Sequence, residues 1–478
     1  MDSASIQFIL LGLATAVLSN ISRSRLWRSS VLLIASAVFL TLLYSSLLSV
    51  LPLVGFLLLG YIAVAALEKR WLNQAAPCVI AIIFVYIWLK RYTFLPGVIF
   101  LRFPYSTLGL SYIFFRVLHL VIESGEGTRA RSIKPFEFLL YTVNFTTFVS
   151  GPIQHYDEFA RDQFAENPIP LSPSVIGLQL ERIVRGFFKV NVLAMVLHSM
   201  QQASLVRISQ PLPEASRLCS ALVIAAVYPL FLYANFSGYI DIVIALARLT
   251  RIELPENFDR PFSAASFIDF WNRWHITLSS WLKTYVYNPL LIVLMRRVSS
   301  TGAAPFLGVF AFFVTFFLVG IWHGRTSEFF VFGVLQGAGV AINKLWQVWL
   351  NGKMGRKGYR TLASSLIYTS LARGLTFSWF AFTLFWFWAD WSQIGQVFAA
   401  IGPVLWVAVW LSMWVSATIV LAFWEWLRVA LLSLKTSEGP ILTSRYARVV
   451  YASALGLGSF VITFLLSQPA PEIVYKAF

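Results

Sequence analysis

Residues 304–322 read APFLGVFAFFVTFFLVGIW, a run with no charged side chain. About 20 mostly apolar residues are enough for a helix to cross the hydrocarbon core of a bilayer. Water is missing there, so the run's own N–H and C=O groups must be satisfied within the segment, and a helix does this. Comparable stretches lie at 5–20, 30–48, 50–67, 76–89, 106–122, 136–150, 177–200, 217–234, 236–250, 327–349, 364–388, 400–426 and 447–467. Several are short, polar or interrupted by Gly and Pro, as at GLSY and VSGPI. Such breaks need neighbouring helices or a cavity to take up the freed backbone groups. The expectation is an all-α, polytopic membrane protein of about 11–14 helices, some broken or re-entrant, around a central cavity.

Composition agrees. Charged residues make up 12% of the 478 and hydrophobic ones 58%, where soluble chains carry roughly 25% charged residues. The net charge of +16 comes in short clusters between apolar runs: Arg23, Arg25 and Arg28; Lys69 and Arg70; Arg129, Arg131 and Lys134; Arg296 and Arg297; Lys353, Arg356, Lys357 and Arg360. That pattern fits cytoplasmic loops and anionic lipid surfaces, not nucleic acid. The two cysteines, Cys78 and Cys219, are far apart and offer no disulfide framework or metal spacing. The first 20 residues lack a basic start and a small-residue cleavage site and read as a first membrane helix. The first two basic clusters, two spans apart, would both lie inside and place the N-terminus outside; Lys90 and Arg91 conflict with this unless 76–89 is re-entrant.

Ionisable groups within apolar runs mark pathways or sites. In GLSYIFFRVLHLVIE (109–123), Arg116, His119 and Glu123 share a helical face, and an Arg–Glu pair is the expected reason. In ERIVRGFFK (181–189), Arg182, Arg185 and Lys189 share a face suited to headgroups or an acidic partner. In LYANFSGYIDIVIALARL (232–249), Ser237 and Asp241 stand at i and i+4, and Arg248 is a candidate partner for the deep carboxylate. Residues 256–290 mix aromatic and polar side chains. There Asp269 and Arg273 pair at i, i+4, and Trp271, His275, Leu278 and Leu282 form the other stripe of an interfacial or dipping helix.

Two of the five histidines follow a tryptophan at the edge of such stretches: Trp274-His275 and Trp322-His323. Imidazole is the side chain best suited to move a proton near neutral pH, and apolar surroundings favour the neutral form that a general base requires. His155 reads as a loop residue and His198 as an interfacial one.

Taken in order, GLSYIFFRVLHLVIE, FTTFVSGPIQHYDEF (146–159), LYANFSGYIDIVIALARL, PENFDRPFSAASFIDFWNRWHITLSSWLKTYVY and FFLVGIWHG resemble the membrane-bound O-acyltransferase family. The resemblance is to its bacterial branch, which includes alginate O-acetyltransferases and teichoic-acid D-alanyl transferases. It implies N-terminal membrane helices over 1–104, a catalytic core over 105–350, C-terminal membrane helices over 351–478, and a central tunnel for acyl transfer. It makes His323 the catalytic histidine and His275 its companion. Asn272, Arg273, Ser237 or Asp241 would orient the imidazole or stabilise the oxyanion, with Trp274 and Trp322 at the substrate.

The implied donor is a cytoplasmic acyl thioester, acetyl-CoA or an acyl-carrier phosphopantetheine, with no bound cofactor and no metal. The implied acceptor is an exported cell-surface polysaccharide or an extracytoplasmic, hydrolase-like partner protein. Membrane lipid and an acyl donor or carrier protein complete the expected partners, with no nucleic acid, at the cell membrane as a multi-pass protein. Acetyl is the first choice of acyl group. D-alanyl transfer to teichoic acid is the alternative, and a transporter or a scaffold is the reading from other classes. Gln336-Gly337 and Lys283-Thr284-Tyr285 depart from the His-Gly and Arg-Asp-Tyr of many alginate-type members.

Overall fold

The computed structural model describes residues 5–466 apart from 45, 128–131, 212, 299, 301, 437–438 and 441–443. Arg129 and Arg131 of the third basic cluster therefore lie outside the described residues. Among the described residues, the regular secondary structure is helical except for one antiparallel ladder, Lys435–Thr436 with Gly439–Pro440, and one isolated bridge. Among the described residues, eight helices are long and apolar enough to cross a membrane, and two shorter apolar ones are Ile6–Ser19 and Ala76–Leu89. The protein is a polytopic membrane protein.

Three expected spans take another form. The runs 217–234 and 236–250 are one 36-residue helix, Glu214–Leu249, with Pro229 inside it. The polar stretch between them, Asn235 to Ser237, is buried within the helix and not a turn. The run 136–150 contains only the helix Pro135–Thr142 and the 3-10 turn Phe145–Thr147. Asn144 ends regular helix there, because its Oδ1 accepts from the Thr146 amide (3.2 Å) and hydroxyl (3.0 Å).

Two compact units make up the chain. One takes residues up to Phe187 together with Gly238–Glu256, and the other takes Phe188–Ser237 together with the described residues from Asn257 onward. In the first unit the rings of Phe8, Phe39 and Phe145 meet at 5.7–6.2 Å between centroids. Buried cations are held by backbone oxygens. Arg28 donates to the carbonyls of Asp162 (3.3 Å) and Ala165 (2.6 Å), and Arg116 donates to those of Tyr141 (3.2 Å), Thr142 (3.0 Å) and Thr147. Arg116 is thus not the partner of Glu123, which lies against His155 at 3.6 Å. A span of i to i+7 leaves two turns between the groups, and carbonyls freed by the break after Thr142 are nearer.

Asp241 takes Arg182 (2.9 Å) and Arg185 (3.1 Å) as its partners. Arg248, its expected partner, instead donates to the Pro170 carbonyl at 3.0 Å. Arg182 also holds Glu256, which is 60% exposed, through two bonds of 2.6 Å.

In the second unit the helices Ala304–His323 and Ser327–Ser364 run together through glycines. A Cβ on Gly320 would collide with the backbone of Gly333, so the two axes approach as closely as backbone allows. This contact fixes the depth and direction of the helix end that carries His323.

Removing one member of a buried ion pair leaves the other uncompensated, at a cost of roughly 3–5 kcal/mol. Asp241→Ala should lower the melting temperature of the detergent-solubilised protein by several degrees and reduce its accumulation. Glu256→Gln, at an exposed position, should change neither. Equal melting temperatures for Asp241→Ala and the parent chain would contradict this assignment.

Candidate active site

The stretch 256–290 is not one amphipathic helix: after the 3-10 turn Pro261–Ser263, the helix Phe267–Arg273 meets a corner, and the helix from Ile276 continues through a π-helical turn, Lys283–Tyr287. The helix Phe267–Arg273 ends at Trp274, and the helix Ile276–Leu282 begins after His275. His275 occupies the left-handed region, φ 47° and ψ 53°, which costs a residue with a Cβ about 1–2 kcal/mol.

Asn257 holds the corner. Its side-chain oxygen accepts from His275 Nδ1 (3.3 Å), from the Thr277 amide (3.1 Å) and from the Thr277 hydroxyl (2.9 Å). Its backbone carbonyl accepts from the Ile276 amide at 3.0 Å. The Asp259 amide donates to the Arg273 carbonyl (2.9 Å), and Phe258 bridges Trp274 in antiparallel fashion. A carbonyl oxygen can only accept, so His275 carries its proton on Nδ1 and presents Nε2 as a lone pair. Phe236 packs on the ring edge to face at 5.0 Å.

His323 is the last residue of the helix Ala304–His323. Gly324 follows it in extended backbone, and a Cβ there would run into the ring of Phe329. Glycine thus lets the chain leave the helix directly beneath an aromatic ring. The His323 ring sits among Trp322 (4.7 Å), Phe387 (5.2 Å) and Phe332 (5.9 Å) and is buried. Trp322 is also 6.4 Å from His275. Both imidazoles therefore pack against one indole, and neither faces outward.

The other residues singled out in the sequence are spread more widely. Trp274 is buried and stacks on Phe270 at 5.6 Å, anchoring the corner. Asn272 lies exposed on the helix before it. Arg273 pairs with Asp269 (3.0 Å), as its i, i+4 spacing predicts, and with Asp259 (3.6 Å). Ser237 is buried and accepts from Lys189 at 3.3 Å. Asp241 belongs to the first unit, in its arginine pair.

Residues that sequence reasoning passed over complete the surroundings. Asn257 is the clamp on His275. Gln336, already noted from the sequence, is fully buried and donates to Thr383 at 2.7 Å. Phe387 and Thr383 come from a region where the sequence shows only a further span. An Asn so close to an Asp-Arg-Pro helix start gives no sign of its long-range role.

The family model described as MBOAT, membrane-bound O-acyltransferase family, matches residues 126–386, more than half of the chain and including both histidines. The chain belongs to the membrane-bound O-acyltransferase family. Among curated relatives of this family, it is 33% identical over 247 residues to a teichoic acid D-alanyltransferase of Streptococcus thermophilus, covering 50% of this chain and 57% of that one. It is 30% identical over 211 residues to a peptidoglycan O-acetyltransferase of Helicobacter pylori, covering 44% and 37%. It is 26% identical over 237 residues to a probable alginate O-acetylase of Pseudomonas aeruginosa, covering 50% and 42%. The chain thus spans between about a third and three fifths of the length of these O-acyltransferase relatives.

Burial pushes His275 down from its ordinary value to about 3. The folded state then refuses a proton that the unfolded chain accepts below about pH 6.5. Stability should fall as pH drops through this window, by at most about 1.4 kcal/mol per pH unit. Asn tolerates left-handed backbone, so His275→Asn should keep the corner and lose less stability between pH 7 and pH 5. Melting curves in detergent measure this, and equal losses for both proteins would count against it.

Proposed function

We propose that this protein is an O-acyltransferase that moves an acyl group from a cytoplasmic thioester to a hydroxyl on the far side of the membrane. The observation that carries this reading is the pair of buried imidazoles, His275 and His323, against the single indole of Trp322 inside the family-matched region.

An alcohol is a poor nucleophile until a base takes its proton. His323 takes the proton as the alcohol oxygen bonds to the thioester carbonyl carbon. The C–S bond then breaks, and the thiol leaves with the proton returned from His323. His275, fixed by Asn257 through Nδ1, steers the acceptor or shares that proton. The aromatic wall of Trp322, Phe332 and Phe387 keeps water from competing with the acceptor. A passage between the two membrane faces is part of the proposal, because donor and acceptor lie on opposite sides.

Acetyl transfer to an exported polysaccharide remains the first reading, supported by the peptidoglycan and alginate relatives. D-alanyl transfer is the second, and one observation favours it. The 33% match is to a D-alanyltransferase. An extracytoplasmic hydrolase-like protein and an acyl donor or carrier protein are the proposed partners.

General base catalysis contributes typically about 10²–10⁴-fold. His323→Ala should therefore abolish measurable acylation of surface polymer in cells while the protein still inserts and accumulates. Feeding labelled acetate or labelled D-alanine shows which group is transferred. Undiminished polymer acylation in cells carrying His323→Ala as the sole copy would overturn the proposal.

A further inference from the structure

In the first unit, His119 and Glu123 stand one turn apart on the helix Leu110–Glu126, and His155 precedes the helix Tyr156–Gln163. One ligand atom from each of the three lies within 4.8 Å of the others. We infer that His119, Glu123 and His155 form a binding site for a divalent transition metal, with zinc as the first candidate. Two imidazoles and one carboxylate are a donor set suited to zinc and to other first-row divalent metals. This inference is independent of the acyl-transfer reading and departs from the sequence-based expectation of no metal.

Geometry supports it at each ligand. Zinc–nitrogen and zinc–oxygen bonds of about 2.0–2.2 Å in a tetrahedron place neighbouring ligand atoms about 3.4 Å apart. His155 Nδ1 and Glu123 Oε1 already stand 3.6 Å apart. The His119 and His155 ring centroids are 5.3 Å apart, so a movement of about an ångström by His119 or its partners closes the third side.

His119 Nδ1 faces the Phe115 carbonyl at 3.1 Å, which favours the tautomer with its proton on Nδ1. A backbone carbonyl on the far nitrogen is the usual support of a metal-bound histidine. Tyr141, whose hydroxyl donates to the Gln154 carbonyl (2.5 Å), stands 3.4 Å from His119 Nε2 and limits where the ring can swing.

Access is open on one side. The His155 side chain is 42% exposed and that of Glu123 19%, whereas His119 is fully buried. A metal can enter from His155, and three protein ligands leave one coordination position for water. Without metal, the His155–Glu123 pair holds the same groups together. With metal, the site clasps the end of the helix Leu110–Glu126 to the start of Tyr156–Gln163.

The test uses the full chain, purified in detergent, stripped with EDTA, incubated with zinc chloride and desalted. Elemental analysis should find about one zinc per chain in the parent protein. His155→Ala and Glu123→Gln, at partly exposed positions that tolerate change, should each weaken zinc binding by more than about tenfold. Cobalt loaded in place of zinc should give visible absorption that these variants lose. His323→Ala should retain the metal, which separates this cluster from the histidines of the candidate active site. Failure of the parent protein to hold zinc, or equal zinc content in His155→Ala and Glu123→Gln, would overturn the inference.

Discussion

Asn257 places a single side-chain oxygen against three donors, the Nδ1 of His275 and both the amide and the hydroxyl of Thr277. Much of the second unit's chemistry depends on this contact. It offsets the cost of a left-handed histidine, turns the chain between two short helices, and fixes which imidazole nitrogen bears the proton. A continuous helix through residues 267–282 would have placed His275 on a stripe with Trp271 and Leu278. The corner instead brings the ring toward Phe236 and Trp322. A side-chain amide can do this in an apolar interior because it accepts hydrogen bonds without carrying a charge that would need its own counter-ion.

The other half of the site depends on the absence of side chains. Gly320 and Gly333 bring two long helices into backbone contact, and Gly324 lets the chain turn away beneath Phe329. Helices in lipid gain little from burying apolar surface against each other, so close van der Waals approach through small residues does the work. His323 is held in place by that approach and by the ring of aromatics around it. His275 is positioned by Asn257 and His323 by the aromatic rings around it.

Much of this was legible in the sequence. Long uncharged runs announce helices because lipid allows the backbone few alternatives. The two Trp-His pairs marked imidazoles that the fold buries beside one indole. Contacts distant in sequence were less legible. Nothing in residues 109–123 shows that Arg116 will meet the carbonyls of 141, 142 and 147, which become available only because the chain breaks helix after Thr142. Arg248 was the nearest cation to Asp241 along the chain, yet Arg182 and Arg185 reach it from another helix. His155 looked like a loop residue because its neighbours on the helix Leu110–Glu126 are more than thirty positions away. In each case the local pattern found the ionisable group, and the fold alone chose its partner.

The two units treat their polar groups differently, and the difference bears on the chemistry. In the first, the buried cations Arg28 and Arg116 donate to carbonyls, and Asp241 is enclosed by two arginines, so these charges are fully engaged in holding structure. In the second, the groups nearest the proposed reaction are imidazoles, an amide and aromatic rings. In the proposed acyl transfer, charge would develop as a proton moves, and in a water-poor surround the preorganised dipoles facing that charge act more strongly than they would in water. A fixed carboxylate beside His323 would raise the basicity of the ring but would also hold it protonated at rest. Phe332, Phe387 and Trp322 surround the ring instead.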